Sequence, residues 1–373
     1  MTVLEPGDAQ DLCAIVAEAA AQGNKLELRG GGTKGAIGGP RDAAIVSLRR
    51  LAGVVDYDPA ELVLTVRPGT PLAEVEALVA AEGQMLAFEP WGDAGATIGG
   101  TVAAGVAGSR RVTCGSARDH LLGFAAVSGR GETFVAGAKV VKNVTGYDLP
   151  KLMAGSWGRL GAMTELTLKV LPRPRVVATL VIDGLHAPAA HAAMACALGS
   201  NADVSAAAHL QRGITLLRVA GFAPSVEARC AALPGLLAAH GVVRRLDEAE
   251  AAPLWGEAMM AQGLAGEVLW RVHLPPACAA GLVAQVEALG VRWAMDWGGG
   301  LVWLACAVDG PDVRAAAVAA GGEATLVSAP DAMRATVPAF HPRAAGLAAL
   351  EKRVRRAFDP AGVFETGRFM GEA

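Results

Sequence analysis

Two glycine-rich turns constrain the fold of this chain more than any other feature. The first, residues 29–35, reads Arg-Gly-Gly-Gly-Thr-Lys-Gly and follows the strand-like alternation of residues 25–28. Three consecutive glycines remove Cβ atoms, so the backbone can adopt positive φ and approach a ligand closely. Successive N–H groups in such a turn form a concavity for an anion. Arg29 and Lys34 favour a diphosphate there, although the segment alone also fits a glycine-rich hairpin or a flexible loop.

The second turn, residues 88–101, ends in Thr97-Ile98-Gly99-Gly100-Thr101. The two threonine hydroxyls flank a double glycine, as binding of phosphate oxygens would require. Residues 102–108 are small, so a helix there would lie almost in contact with a cofactor, although tight packing explains its alanines equally well. Residues 36–40 contain too many helix breakers for a Rossmann-type turn, which must lead straight into a helix.

A third segment, residues 142–148, reads Lys-Asn-Val-Thr-Gly-Tyr-Asp. The order of these three segments, with residues 110–119 and 152–161, resembles the PCMH-type FAD domain of the vanillyl-alcohol-oxidase superfamily. Within it the chain is most similar to the FAD-binding subunits of bacterial glycolate oxidases. The narrower resemblance rests on the sequences LAFEP (86–90), GYDL (146–149), LPRP (171–174), LWRV (269–272) and DWGG (296–299).

The resemblance implies FAD as a non-covalent cofactor. Covalently flavinylated members place a histidine where this chain has Thr33, and Cys114, the one thiol near the loops, is expected to be a buried small residue. The cofactor-binding residues implied are Arg29, Gly30, Gly31, Gly32, Thr33, Lys34, Gly35, Pro68, Pro90, Thr97, Ile98, Gly99, Gly100, Thr101, Gly105, Arg118, Asp119, Val140, Lys142, Gly146, Tyr147 and Asp148.

We expect an α+β fold with three segments. Residues 1–175 form a PCMH-type two-subdomain FAD-binding domain, which begins with a helix between Asp8 and Gly23 and ends in the linker Pro172-Arg173-Pro174. Residues 176–330 form a ferredoxin-like cap with helices on one face of its sheet. Residues 331–373 return to the FAD domain. In this tail Glu365-Thr366 replaces the usual Asn-Pro, which weakens the expectation of a contact with the flavin.

Composition excludes several classes of protein. The 373 residues carry a net charge of −3 without a basic stripe, so nucleic-acid binding is not expected. We expect no signal peptide, because the first residues lack a basic segment followed by an apolar one, and no apolar stretch approaches the roughly 20 residues of a membrane span. Six scattered cysteines without a CxxC pair argue against zinc and iron–sulfur sites. We expect a cytoplasmic protein, with any contact at the inner face of the membrane made through partner subunits.

The resemblance implies oxidation of a short 2-hydroxy acid such as glycolate by hydride transfer to flavin N5. It also implies two partners, a larger homologous FAD-binding subunit and an iron–sulfur subunit that takes the electrons. None of the seven histidines has a metal-binding setting, so no metal is expected. Two alternatives stay open, a non-catalytic assembly subunit of the same complex and a stand-alone FAD-dependent oxidase.

Catalytic residues are not assigned from the sequence. If the subunit has its own site, Arg271 or Arg292 would bind the substrate carboxylate and His273 would take the proton. Both Arg271 and His273 alternate on one strand and could equally face solvent. Three tryptophans, Trp293, Trp297 and Trp303, give the further hypothesis that residues 296–303 dock a partner subunit.

Overall fold

The computed structural model describes residues 2–138, 146–260 and 267–369. Its amino-terminal segment builds two main sheets. The strands are β1 (Val3–Leu4), β2 (Leu26–Arg29), β3 (Ala44–Ser47), β4 (Val54–Asp58), β5 (Val63–Val66), β6 (Gln84–Met85), β7 (Leu121–Val127), β8 (Thr133–Gly137), β9 (Ala162–Lys169) and β10 (Leu171–Pro172). The three-stranded sheet is parallel, with the order β1-β3-β2, and the five-stranded sheet is antiparallel, with the order β4-β5-β9-β7-β8.

Six helices accompany these strands: α1 (Ala9–Gln22), α2 (Leu72–Ala81), α3 (Ile98–Ala104), α4 (Arg111–Cys114), α5 (Ala117–His120) and α6 (Leu149–Met153). The caps predicted for the first helix are confirmed, because Asp8 accepts hydrogen bonds from two backbone N–H groups of α1 and Gly23 has a φ of 72°. Helix α3 begins earlier than the expected helix in residues 102–108. Thr97 caps it by accepting from the Gly100 N–H, so the double glycine lies in its first turn.

The structure of residues 172–174 differs in one respect from the linker expected from the sequence. Pro172 was expected to end strand pairing, yet β10 pairs antiparallel with β6, with Pro172 opposite Gln84. A proline is tolerated there because the ladder has only two short strands and needs no N–H from it.

The elements of the cap are β11 (Val176–Asp183), α7 (Ala187–Leu198), β12 (Val204–Leu210), β13 (Ile214–Gly221), α8 (Ala223–Leu236), β14 (Val243–Leu246), α9 (Glu248–Met260), β15 (Val268–His273), α10 (Ala279–Glu287), β16 (Arg292–Asp296), β17 (Leu301–Cys306), α11 (Val313–Ala319), β18 (Glu323–Ser328) and α12 (Asp331–Arg334). Its strands form one eight-stranded antiparallel sheet with the order β14-β11-β13-β12-β16-β17-β15-β18. The sheet divides into two ferredoxin-like units, each with strands in the order 4-1-3-2, which are joined by pairing of β12 with β16.

Four of the cap helices, α7, α8, α10 and α11, cover one face of the sheet. Helix α9 differs from the sequence-based expectation, because it packs on the opposite face through Ala251, Trp255 and Ala258. The second unit leaves this opposite face to residues of the amino-terminal segment: Trp91 packs there with Trp297 and Trp303.

The chain returns to the amino-terminal segment through α13 (Ala345–Phe358) and the tail that follows it. Asp359 accepts hydrogen bonds from the Val363 and Phe364 N–H groups, and the Leu26 N–H donates to the Val363 carbonyl. The tail is thereby fixed beside β2, the strand that leads into the first glycine-rich turn. Over the described ranges, no helix is long and apolar enough to cross a membrane.

Candidate functional site

The first glycine-rich turn is held by arginines that bind its carbonyl groups. The N–H groups of Gly31, Gly32 and Thr33 make no hydrogen bond with any described residue. These three N–H groups are therefore available to a ligand, and their binding of an anion stays a prediction. The arginine contacts are Arg49 Nη2 to Gly31 O (3.0 Å), Arg41 Nη1 to Gly35 O (3.1 Å), Arg334 Nη2 to Gly35 O (3.3 Å) and Arg368 Nη2 to Lys34 O (2.6 Å).

The three glycines of this turn serve different purposes. A Cβ atom on Gly30 would lie 2.2 Å from Thr97 Oγ1, and one on Gly31 would lie 1.8 Å from Gly95 O. These two glycines therefore allow the first turn to pack directly on the second. Only Gly32 has positive φ, at 77°. Two of the three glycines thus serve the contact between the turns, and the use of all three for ligand approach stays a prediction.

A cleft lies between the two turns. Two buried polar atoms on its walls, Thr101 Oγ1 and Arg29 Nε, have no hydrogen-bond partner among the described residues. Buried polar groups are nearly always hydrogen-bonded, so both atoms fit a ligand rich in oxygen. Of the residues predicted from sequence, those in the cleft are Arg29, Gly30, Gly31, Gly32, Thr33, Lys34, Gly35, Pro68, Thr97, Gly99, Gly100 and Thr101.

The cleft holds about 90 Å³, and a second cavity of about 360 Å³ lies beside it. Drug-sized ligands usually occupy about 300–1,000 Å³, so the first cleft matches a diphosphate rather than a whole dinucleotide. Leu28, Trp157, Gly158 and Arg368 form walls of both spaces. A ligand too long for the first cleft would therefore extend past these residues into the second cavity.

Positive charge exceeds negative charge around the cleft. Glu27 is the buried carboxylate, and it binds Arg41 at 2.7 Å and Arg29 at 3.1 Å. Burial opposes ionisation of Glu27, but the two arginines hold its pKa below the usual value. Burial, with Arg41 next in weight, lowers the pKa of Arg368 to about 10, so this side chain stays charged at neutral pH. The excess of cations suits a diphosphate, which carries negative charge.

Other predicted site residues lie away from this cleft. Ile98 is in the hydrophobic core. Pro90, which follows Glu89 in the chain, is half-buried. Gly105 ends α3 with a φ of 66°. Arg118 and Asp119 are exposed on α5, where Asp119 completes a capping box with Ser116.

The third segment does not join the cleft in the part that the structure describes. Gly146 and Tyr147 are exposed, Tyr147 by 91%, and Asp148 caps α6 and pairs with Lys151 at 2.8 Å. Val140 and Lys142 lie outside the described residues. The roles of all these residues in cofactor binding stay predictions.

Sequence reasoning missed several walls of the cleft. Trp157 belongs to the segment 152–161, and Met163 lies in β9, which follows that segment. The segment supported the resemblance, but no individual site residue was predicted from it. Arg368 belongs to the tail in which Glu365-Thr366 replaces Asn-Pro. The tail nevertheless reaches the glycine turn, because Arg368 binds the Lys34 and Ile37 carbonyls while Glu365 binds Arg355.

A second cluster lies where the cap sheet meets the amino-terminal segment. His273 stacks on Trp297 with ring centroids 5.2 Å apart and planes 15° apart. The Arg271 guanidinium lies 5.0 Å from the Trp297 ring and 5.5 Å from the Trp303 ring. Neither Arg271 nor His273 is a fully exposed residue, whereas Arg292 is exposed and pairs opposite Ala305. The structure therefore brings Arg271 and His273 together and leaves Arg292 apart.

The tryptophan docking hypothesis is wrong for this chain. Trp293, Trp297 and Trp303 are all buried, with Trp303 only 1% exposed. The Trp297 indole N–H donates to the Gly108 carbonyl, so this ring joins the cap to the amino-terminal segment instead of forming a surface. Trp293 packs with α10 residues inside the cap.

The described residues hold no group of three or more metal-ligating side chains. The six cysteines are free, and Cys114 is half-buried with its backbone carbonyl accepting from His120 Nε2 at 2.8 Å. No described cysteine is therefore involved in a disulfide.

Comparison with known proteins identifies the family. A family model described as an FAD binding domain matches residues 2–137. The chain is similar to the glycolate oxidase subunit GlcE of Escherichia coli K12, with 35% identity over 97% of both chains. It is also similar to a D-lactate dehydrogenase of Anaerostipes hadrus, with 35% identity over 43% of this chain and 34% of that protein.

The fold also matches a solved structure. An alkyldihydroxyacetonephosphate synthase superposes with a TM-score of 0.71 at 15% identity, covering 97% of this chain and 75% of that one. At this identity the match supports the PCMH-type fold alone. The near full-length similarity to GlcE shows that the chain belongs to the glycolate oxidase GlcE family of FAD-dependent oxidoreductases.

Proposed function

We propose that this chain is the FAD-binding subunit of a glycolate oxidase complex that oxidises a short 2-hydroxy acid, glycolate or D-lactate, to the 2-oxo acid. The similarity to GlcE over 97% of both chains carries the proposal. The glycine turn supports it, because its carbonyls are bound by arginines while its N–H groups, Thr101 Oγ1 and Arg29 Nε have no partner among the described residues.

FAD, when bound, supplies the acceptor at N5 for a hydride from C2 of the substrate. This chain's contribution is to hold the cofactor. The turn of residues 30–34 would bind the diphosphate with its N–H groups, and the Thr101 hydroxyl would donate a hydrogen bond to a phosphate oxygen. Arg29 and Lys34 would balance the charge. Attachment would be non-covalent, because this chain has Thr33 where covalently flavinylated relatives have the linking histidine.

The proposed division of labour has three segments, residues 1–175 for FAD, 176–330 as the cap and 331–373 as a tail that supports the FAD site. Because the similar GlcE is one subunit of a glycolate oxidase, the electrons would leave through a partner, which we propose to be an iron–sulfur subunit. A larger homologous FAD-binding subunit would complete the complex. Any membrane contact would be made through these partners from the cytoplasmic side.

The test is the visible spectrum of the purified chain, recorded after loading with FAD, after acid precipitation, and after anaerobic addition of glycolate or D-lactate. We expect flavin bands that leave with the acid supernatant and that bleach with substrate. Bands that do not bleach would make the chain a non-catalytic flavin subunit of the complex. A chain that cannot be loaded with FAD would contradict the proposal, and rapid reoxidation by oxygen would indicate a stand-alone oxidase.

A further inference from the structure

The Arg271 guanidinium has no counter-ion that is hydrogen-bonded to it. Its Nε and Nη2 atoms are shielded from solvent and have no partner among the described residues. The neighbouring carboxylate, Asp296, is already engaged by Ser109 Oγ and the Trp297 N–H, each at 2.7 Å. Burial and the nearby Arg111 lower the pKa of Arg271 to about 10, so it stays charged at neutral pH. A shielded, unpaired charge is costly, and this place therefore suits an anion.

Two further polar atoms without partners in the described structure lie in the same cluster, His273 Nε2 and Trp303 Nε1. Arg271 and His273 alternate along β15 and share the face of the sheet that is not covered by α10 and α11. Burial, followed by the charges of Arg271 and Arg111, lowers the pKa of His273 to about 3. The imidazole is therefore neutral at pH 7, and its Nε2 can exchange a hydrogen bond with a hydroxyl group.

The cluster is connected to the glycine-turn cleft through one side chain. Trp91 packs edge-on against Trp303, with ring centroids 6.3 Å apart. Lys34, which belongs to the glycine turn, donates from Nζ to the Trp91 carbonyl and lies 5.1 Å from the indole centroid. The two groups of unpartnered atoms are thus separated by a single tryptophan.

We propose that Arg271, His273 and Trp303 form the binding site for a short 2-hydroxy monocarboxylate, with the carboxylate on Arg271 and Trp303 Nε1 and the hydroxyl on His273 Nε2. The Arg271 guanidinium can form charge-assisted hydrogen bonds with the single carboxylate of such a substrate. The indoles of Trp297 and Trp303 pack against this guanidinium. The inference rests on the proposed function and assigns the residues that would bind its substrate.

The test compares glycolate binding by the FAD-loaded full-length chain and by its Arg271→Gln variant in anaerobic titrations. Tryptophan fluorescence reports occupancy, because Trp297 and Trp303 lie against the binding residues. We expect the half-saturating glycolate concentration to rise at least about tenfold in Arg271→Gln, since the variant loses the charge-assisted hydrogen bonds to the carboxylate. Arg292→Gln, which removes an exposed arginine from strand β16 of the same sheet, is the matched control and should leave the concentration unchanged.

Arg271→Met is the second variant and should match Arg271→Gln, with thermal unfolding used to verify that both fold. Equal half-saturation in wild type and a folded Arg271 variant would overturn the inference, as would a wild-type chain that does not respond to glycolate. An Arg271 variant that lost FAD affinity and kept its glycolate response would assign the guanidinium to the cofactor instead. Failure of the proposed function is distinct, because it appears as an absence of flavin bands in wild type.

Discussion

The Ser109 hydroxyl donates a 2.7 Å hydrogen bond to Asp296 Oδ2, and both side chains are completely buried. This bond joins the segment that follows the second glycine turn to the end of cap strand β16. Removing it by Ser109→Ala leaves Asp296 with the Trp297 N–H as its remaining donor in the described structure. We expect a loss of about 1–3 kcal/mol in unfolding free energy, measured by urea denaturation. Exposed Ser225→Ala is the control, and equal losses in both variants would refute a special role for the bond.

The stability of the protein should depend on pH through Asp296. Burial raises the pKa of Asp296 to about 7 from 3.8, while Ser109 and the Trp297 N–H oppose the rise. Between about pH 4 and pH 7 the folded protein therefore holds a proton that the unfolded chain has lost, and its stability falls as pH rises across this window. The pKa difference corresponds to roughly 4 kcal/mol at most.

Asp296→Asn removes this titration while keeping a hydrogen-bonding side chain. We expect the unfolding free energy of wild type, relative to Asp296→Asn, to fall from pH 4 to pH 7 and to be constant above pH 7. Taking the difference cancels the titration of His209, whose pKa burial lowers to about 4, and of His273. Parallel stability curves for the two proteins would show that Asp296 titrates as it does in the unfolded chain.

Local sequence signals predicted local structure well. Asp8 and Gly23 marked the ends of α1 because capping depends on the residues at the helix termini themselves. The glycine turn was also found, since glycine-rich runs are informative without tertiary context.

What the sequence could not predict depends on distant contacts. The requirement for glycine at Gly31 comes from Gly95, and the role of Arg368 comes from carbonyls more than 300 residues earlier in the chain. The placement of α9 on the second face of the sheet is set by packing, since its helical pattern is the same on either face. Likewise, the burial of Trp297 follows from its contact with Gly108, which no local pattern encodes.

Glycine is required at position 31 for contact between the two turns. A Cβ atom in Gly31→Ala would meet the Gly95 carbonyl oxygen at 1.8 Å, so one of the two backbones must move. We expect destabilisation of about 1–3 kcal/mol and loss of FAD binding, measured by thermal unfolding and by flavin absorbance. Gly35→Ala is the matched variant, because its nearest contact is 3.2 Å and its φ is not positive. Equal effects at both positions would contradict this explanation.

Arg368 should contribute to FAD affinity from outside the glycine turn. It binds the Lys34 and Ile37 carbonyls and adds positive charge to the cleft. We expect Arg368→Gln to weaken FAD binding roughly tenfold, since hydrogen bonds from a charged group contribute about 1.5–3 kcal/mol. Arg343→Gln removes a surface ion pair with Glu323 and should have little effect. Fluorescence titration of FAD gives both affinities, and similar values for the two variants would exclude a role for the tail.

Thr101 gives the most direct test of the cleft, because its hydroxyl is buried and unpartnered in the described structure. Thr101→Val keeps the shape and removes the polar atom. In the FAD-free protein we expect unfolding free energy to stay constant or to rise by about 1 kcal/mol, since no hydrogen bond is lost. FAD affinity should fall about tenfold, while Thr101→Ser should bind FAD as wild type does. A destabilised FAD-free Thr101→Val protein with unchanged FAD affinity would mean that the hydroxyl serves the fold and not the diphosphate.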